Sequence, residues 1–210
     1  MIDVIVFLGI QGSGKGTQAK LLAVETGFQH INIGDLLRQE SEKGTVLGKE
    51  VETTIQKGDM VSDELVFAMI QDAITDDCPG IIFDGFPRNL SQAEFLVHNF
   101  RVARAYYLDL KESVAIERIM GRRVCSQCGA NYHLKNKPPK DDSVCDSCGG
   151  VLVTRSDDSP KAIAKRVQAF FEETFVLKDF FARRGELLSL PAERSITEIQ
   201  TQIYADIHLD

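Results

Sequence analysis

The chain has 210 residues, 43% hydrophobic and 26% charged, with a formal net charge of -7 at neutral pH. That length allows one substantial core with a small insertion beside it, and the acidic balance argues against partners held by phosphate neutralisation, such as nucleic acid or an anionic membrane surface. No apolar run approaches the ~20 residues that span a bilayer, and the N-terminus runs into a strand and a glycine-rich loop instead of a small-residue cleavage site; a soluble protein resident in the cytoplasm is the expectation.

Val4 to Leu8 is apolar and β-branched, which predicts a buried parallel strand. Gly9 to Thr17 then turns into a segment with helical spacing at Ala19, Leu22 and Ala23. A triphosphate crowds negative oxygens together, so its site wants inward-pointing backbone N–H groups, a helix N-terminus behind them and a cation reaching over. Gly12, Gly14 and Gly16 permit close backbone approach around Ser13, and Lys15 supplies the cation. The spacing is that of a P-loop, except that Gly16 follows the lysine and the hydroxyl residue, Thr17, comes one later. A purely structural glycine turn is the alternative; the strand before and the helix after favour a phosphate loop.

Gly27 ends that helix, and Phe28 to Asn32 reads as a strand leading to a helix capped by Asp35. Ser62 caps a third helix running to about Thr75. Ile81 to Asp84 is a buried strand that delivers a carboxylate at its C-terminal end, where open α/β sheets place ligand chemistry. Asp84 is therefore the Walker-B-like candidate. Ser91 and Glu94 have capping-box spacing for the next helix. A strand at Tyr106 to Leu110 and a helix at Val114 to Met120 carrying Arg118 continue the alternation, which predicts an α/β fold with a doubly wound parallel sheet and helices on both faces.

The pattern breaks from Cys125 to about Ser156, a β-rich insertion with two Cys-x-x-Cys pairs. Cys125, Cys128, Cys145 and Cys148 have the spacing of a closed four-cysteine structural zinc site, with Gly129 and Gly149 allowing the turns around the metal. Two disulfides compete with that reading, and a reducing compartment disfavours them. Cys78 stands alone, with no role assigned. Ser159 and Pro160 then start a long helix to about Arg184, expected to bury Ile163, Val167, Phe170, Phe171, Val176, Leu177 and Phe180. Gly185 stops it, Leu187 to Leu190 is the last strand, and Ser195 with Glu198 caps the final helix.

Taken in order, Gly12 to Gln18, Gly34 to Arg38, Asp84 to Arg88 with Gln92, Gly121 to Arg123, and Arg155 to Asp158 with Arg166 make the chain resemble the adenylate kinase family, in its long bacterial form with a zinc-bearing lid. The resemblance implies a P-loop core at 1–31, 62–122 and 161–210, a helical AMP-binding segment at 32–61 and a lid at 123–160. It implies reversible phosphoryl transfer in which ATP with Mg2+ and AMP give two ADP, serving adenine nucleotide homeostasis, in a monomer with Zn2+ in the lid. By the same resemblance Lys15 and the loop residues Gly12, Ser13, Gly14, Gly16 and Thr17 hold the ATP phosphates, and Asp84 holds Mg2+ through water. Arg38 and Arg88 meet the AMP phosphate, while Arg122, Arg155 and Arg166 close on the transferred group. Gln92 reads the adenine of AMP beside Ile33, the Asp59-Met60-Val61 backbone and the Gly85-Phe86-Pro87 turn. Arg118, Asn131, Tyr132 and Arg194 lie at the ATP side, whereas Arg123 and His133 are expected to be structural.

Several positions depart from the family pattern. Gln11 stands in place of proline, Ala192-Glu193-Arg194 replaces a glycine-rich turn, and Asn32-Ile33 replaces Ser-Thr. The missing threonine hydroxyl helps recognise the acceptor base, so a kinase for another nucleoside monophosphate, or one using GTP as donor, stays open. A zinc-ribbon module that binds ATP or nucleic acid without transferase activity is the alternative of a different class; Asp141, Asp142 and Asp146 within the ribbon weigh against nucleic acid.

Overall fold

Two chain segments far apart in sequence pair with the N-terminal strand, one on each side, in a computed structural model that describes residues 1–207. The strands are β1 (Asp3–Leu8), β2 (Gln29–Asn32), β3 (Ile81–Asp84), β4 (Arg101–Asp109) and, after a small excursion through β5 (Arg122–Cys125), β6 (Asn131–His133) and β7 (Leu152–Val153), the last strand β8 (Leu187–Pro191). The main sheet runs β2-β3-β1-β4-β8 and is parallel at every pairing. β1 is central and buried on both faces, which is why it reads as a continuous apolar run rather than an alternating one. The doubly wound α/β expectation therefore holds, and the last three residues of the expected core segment, 208–210, lie outside the described residues.

The helices are α1 (Lys15–Thr26), α2 (Ile33–Glu42), α3 (Val46–Gln56), α4 (Asp63–Ala73), α5 (Leu90–Asn99), α6 (Glu112–Met120), α7 (Pro160–Ala169), α8 (Leu177–Arg183) and α9 (Ile196–Ile207). Several boundaries differ from expectation. Asn32, not Asp35, caps α2: its side-chain oxygen accepts the Asp35 N–H at 2.9 Å. α3 was not anticipated at all; Thr45 caps it, and only Gly48 and Val51 are buried, so it carries almost no apolar stripe. Asn89 instead of Ser91 caps α5, whereas the Ser62, Ser159 and Ser195 caps form as expected.

The long C-terminal helix is interrupted. Residues Phe170–Thr174 form one π turn, closed by the Phe175 N–H donating to Phe170 O at 2.8 Å. The extra residue in that turn advances the helix phase, so periodicity of 3.6 fails beyond it. Phe171 and Val176 consequently face solvent and Phe180 is only partly covered, while Phe181, one position on, is fully buried.

An aromatic group anchors the turn after β3. Phe86 is fully buried and meets Phe83 and Phe67 edge-on, and Phe67 stacks on Phe95 with centroids 3.9 Å apart. Strands β5, β6 and β7 form a separate antiparallel sheet whose core is only Cys125, Tyr132, Cys145 and Leu152. No helix among the described residues is long and apolar enough to cross a membrane.

Candidate active site

One cavity of about 880 Å3 opens at the C-terminal edge of β1 and β3. Its floor is the loop between β1 and α1. Gly12 (φ +88°) and Gly14 (φ +98°) take backbone conformations that side chains resist, and a Cβ at Gly12 would stand 2.7 Å from Ala115 O. α1 starts at Lys15 without a side-chain cap, leaving its first N–H groups facing the loop. Lys15 Nζ donates to Gly9 O at 2.7 Å and Ile10 O at 3.0 Å. Burial pushes this ammonium down to about 8; Asp84 opposes the shift, and Arg88 and Arg122 add to it.

Asp84 ends β3 directly beside the loop and is almost completely buried. The Asn32 amide donates to its Oδ2, and His30 Nε2 lies 3.8 Å from the same oxygen. Burial pushes the carboxyl up, but His30, Lys15 and Asn32 together hold it below the usual carboxylate range. A Cβ at Gly16 would come within 2.8 Å of Asp84 Oδ2. The glycine after Lys15, irregular for a P-loop, thus leaves room for this carboxylate.

Opposite the loop, five arginines converge. Arg88 Nε donates to Gly85 O at 2.9 Å, and burial together with Arg166 lowers its pKa. Arg122 grips Asp158 with Nε at 3.0 Å and Nη2 at 2.6 Å. Arg155 donates to Asn131 Oδ1 at 3.0 Å; burial, Arg122 and Arg38 press it down to about 10, and its Nε has no hydrogen-bond partner. Arg166 Nη2 bonds Asp157 Oδ2 at 2.6 Å and Ile55 O at 3.0 Å, and Arg38 Nη1 lies 3.6 Å from the same Asp157 oxygen. Five guanidiniums and one ammonium against the carboxylates of Asp35, Asp84, Asp157 and Asp158 leave an excess of positive charge at the cavity. Such an arrangement suits polyphosphate, and the guanidinium fork suits phosphate oxygens two at a time.

The other expected residues divide between two walls. Ile33, Asp59, Met60, Val61, Gly85, Pro87 and Gln92 line the side near Arg38 and Arg88. Arg118, Asn131, Tyr132 and Arg194 line the side toward the small sheet, with Arg118 Nη1 held by Ala192 O at 2.9 Å. Thr17 lines the loop as well, together with Ser13 and Gly14. Phe86 does not reach the cavity; its ring belongs to the aromatic core. Arg123 sits at the surface and bonds Met120 O and Arg122 O. His133 lines the rim, its Nδ1 accepting the Lys135 and Asn136 N–H groups.

Sequence reasoning missed Asp157, Asp158, Asp63 and Thr174 as supports of this site. Asp157 and Asp158 bind the arginines just described, Asp63 accepts from Gln92 at 2.7 Å, and Thr174 Oγ1 donates to Arg88 O at 2.7 Å from the π turn. The pair of acids two and three positions after Arg155 was the one available signal.

The four paired cysteines come together in the small sheet, all sulfurs within 4.8 Å of one another, and Cys78 is free and apart. Sγ atoms of Cys125 and Cys148 are 3.4 Å apart, those of Cys128 and Cys145 3.6 Å, too far for disulfides. A tetrahedron with metal–sulfur bonds of 2.3 Å has edges of about 3.8 Å. The donor set therefore fits a metal of zinc's size and preference, with no position left open for water.

A family model described as adenylate kinase matches residues 7–186. The adenylate kinase of Carboxydothermus hydrogenoformans is 39% identical over 206 residues, covering 95% of this chain and 96% of that protein. That of Caldanaerobacter subterraneus subsp. tengcongensis is 40% identical over 203 residues, covering 93% and 91%. That of Clostridioides difficile is 36% identical over 208 residues, covering 96% of both.

Proposed function

Because the chain belongs to the adenylate kinase family, and so to the nucleoside monophosphate kinases, we propose that it transfers the terminal phosphoryl group of ATP to AMP, reversibly, giving two ADP. The observation that carries this reading is the convergence of Lys15 and five arginines on one cavity.

Phosphoryl transfer needs in-line placement of the two oxygens and neutralisation of the charge spread over the moving group. In this reading the loop from Gly12 to Thr17 and Lys15 cradle the ATP phosphates. Arg118 and Arg194 cover its base side, with Asn131 and Tyr132 closing over it. Arg38 and Arg88 hold the AMP phosphate so that one of its oxygens attacks the terminal phosphorus as the bond to the bridging oxygen breaks. Arg122, Arg155 and Arg166 follow the equatorial oxygens. Asp84, kept ionised and buried, is the residue that would hold Mg2+, which supplies charge neutralisation across the phosphates when bound. Cys125, Cys128, Cys145 and Cys148 would hold Zn2+, which stiffens the small sheet as one body.

We assign residues 32–61 to the acceptor segment, 123–160 to the lid and the remainder to the core. The acceptor segment touches the core closely: Arg166 reaches Ile55 O, and a Cβ at Gly58 would stand 2.7 Å from Ala162 O. Closing over the substrates keeps water from competing for the phosphoryl group.

The test is diphosphate formation from Mg-ATP with AMP, GMP, CMP, UMP and dAMP in separate reactions. Strong ADP formation with adenine acceptors alone supports the reading. Better turnover with another base would reassign the acceptor, and no transfer to any acceptor with ATP still bound would overturn it. The protein is taken to work as a monomer, giving a sedimentation mass near its 23.3 kDa chain mass.

A further inference from the structure

Gln92 is buried in the wall of the cavity, and its amide is held from both ends. The Arg88 backbone N–H donates to Gln92 Oε1 at 2.8 Å, and Gln92 Nε2 donates to Asp63 Oδ1 at 2.7 Å. A backbone N–H only donates and a carboxylate accepts, so chemistry and not mere placement determines which end of the amide is oxygen. Asp63 is itself fixed. It opens α4, and both its oxygens face the Asn89 amide nitrogen, at 3.2 and 3.4 Å. Asn89 Oδ1 in turn accepts the Gln92 N–H at 2.8 Å as the cap of α5. One carboxylate therefore ties the start of α4 to the cap of α5 and to the Gln92 side chain.

After these two bonds Gln92 retains one oxygen lone pair and one N–H. Adenine offers a donor at its exocyclic N6 and an acceptor at N1. Guanine and hypoxanthine offer the reverse, an acceptor at O6 and a donor at N1. An amide that fits the first order sets acceptor against acceptor and donor against donor with the second. Ile33 and Val61, on the same wall, contribute only apolar side chains and cannot choose between the two.

We infer that Asp63 is a positioning residue for base selection: it holds the Gln92 amide in the orientation that accepts 6-amino purine monophosphates and rejects 6-oxo ones. The inference rests on the proposed role of Gln92 as reader of the acceptor base. A site whose polar groups are left mismatched discriminates far more strongly than one that merely loses a contact.

Asp63→Asn keeps the shape but can present either an oxygen or a nitrogen to Gln92, so one of the two contacts that set the sense of the amide is lost and only the Arg88 N–H still opposes a flip. Asp63→Ser removes the carboxylate altogether. With Mg-ATP as donor, the ratio of kcat/KM for AMP over IMP falls at least tenfold in both variants, through a higher KM for AMP and a gain with IMP, while kcat at saturating AMP changes less than threefold. A wild-type ratio in folded Asp63→Asn and Asp63→Ser overturns the inference, even if both melt earlier. Gln92→Ala separates the two layers: if it leaves the ratio unchanged, Gln92 does not read the base and the parent assignment falls. If Gln92→Ala collapses the ratio and the Asp63 variants do not, only the role of Asp63 falls. The unsubstituted protein gives an independent reading, since the Gln92 side-chain N–H facing Asp63 exchanges slowly with solvent in a 15N-labelled sample; fast exchange of both its protons overturns the lock.

Discussion

Raising the pH should weaken ATP binding through Lys15 well before Arg155 of the same site releases a proton. Removal from water brings this ammonium from 10.5 to about 8, with Arg88 and Arg122 pushing the same way and Asp84 opposing. A neutral amine still satisfies both of its N–H donors on Gly9 O and Ile10 O, so the loop keeps its shape when the charge is lost. A bound triphosphate supplies the missing counter-charge and restores the ammonium form. Binding therefore takes up a proton wherever the free protein has lost it and the complex has not. With a free value of about 8, uptake is about half a proton at pH 8 and about 0.9 at pH 9. The ATP Kd then rises close to tenfold, about 1.4 kcal/mol, for each further pH unit until the lysine of the complex also titrates. Titration calorimetry with ATP in two buffers of unlike ionisation enthalpy measures the uptake directly. Uptake below about 0.2 proton at pH 9 would refute the argument, as would a Lys15→Met variant that still binds ATP with the same pH slope.

Removing the metal from the four cysteines should lower the melting temperature, because the small sheet has a core of only four residues to fall back on; an unchanged melt after verified metal loss counts against a structural role. Asp158→Ala strands Arg122, whose partner is 1% exposed at its side chain, and should cost about 3 kcal/mol in urea unfolding without nucleotide. A loss below about 1 kcal/mol would mean that Arg122 finds another partner readily. Ile33→Thr places a hydroxyl in the acceptor wall at the expense of a buried side chain, so AMP KM should fall while stability drops by about 1–2 kcal/mol; an unchanged KM shows that the base does not feel this position.

The residues that sequence reasoning found are those whose chemistry dictates both type and local spacing. Glycines around Lys15, a carboxylate closing an apolar strand, and paired cysteines each announce themselves within a few positions. What stayed hidden depends on distance. Asp63 is defined by Gln92, 29 residues away, and Asp157 by Arg38 and Arg166 on two different helices. Nothing local separates Asp63 from surface acids, and the run from Arg155 to Asp158 shows that the two acids belong together but not which arginines they meet. α3 was missed because Val46 and Leu47 face solvent and leave too little apolar stripe to set a period. The π turn escaped for the opposite reason: the apolar residues were seen, but a fixed period cannot register a single inserted residue, so Phe180 was expected where Phe181 is buried.

The central position of β1 bears on how the chain is made. Its residues are made well before those of the strands on either side of it, since β3 and β4 begin only at Ile81 and Arg101. At about 5–20 residues per second, roughly 4–16 seconds of synthesis pass before Ile81 follows Asp3 out of the peptidyl-transferase centre. For that interval an apolar β-branched segment has neither of the strands that pair with it in the finished sheet. Slower translation over residues 9–80 would lengthen this exposure and raise the demand on chaperones, with no change in the finished protein.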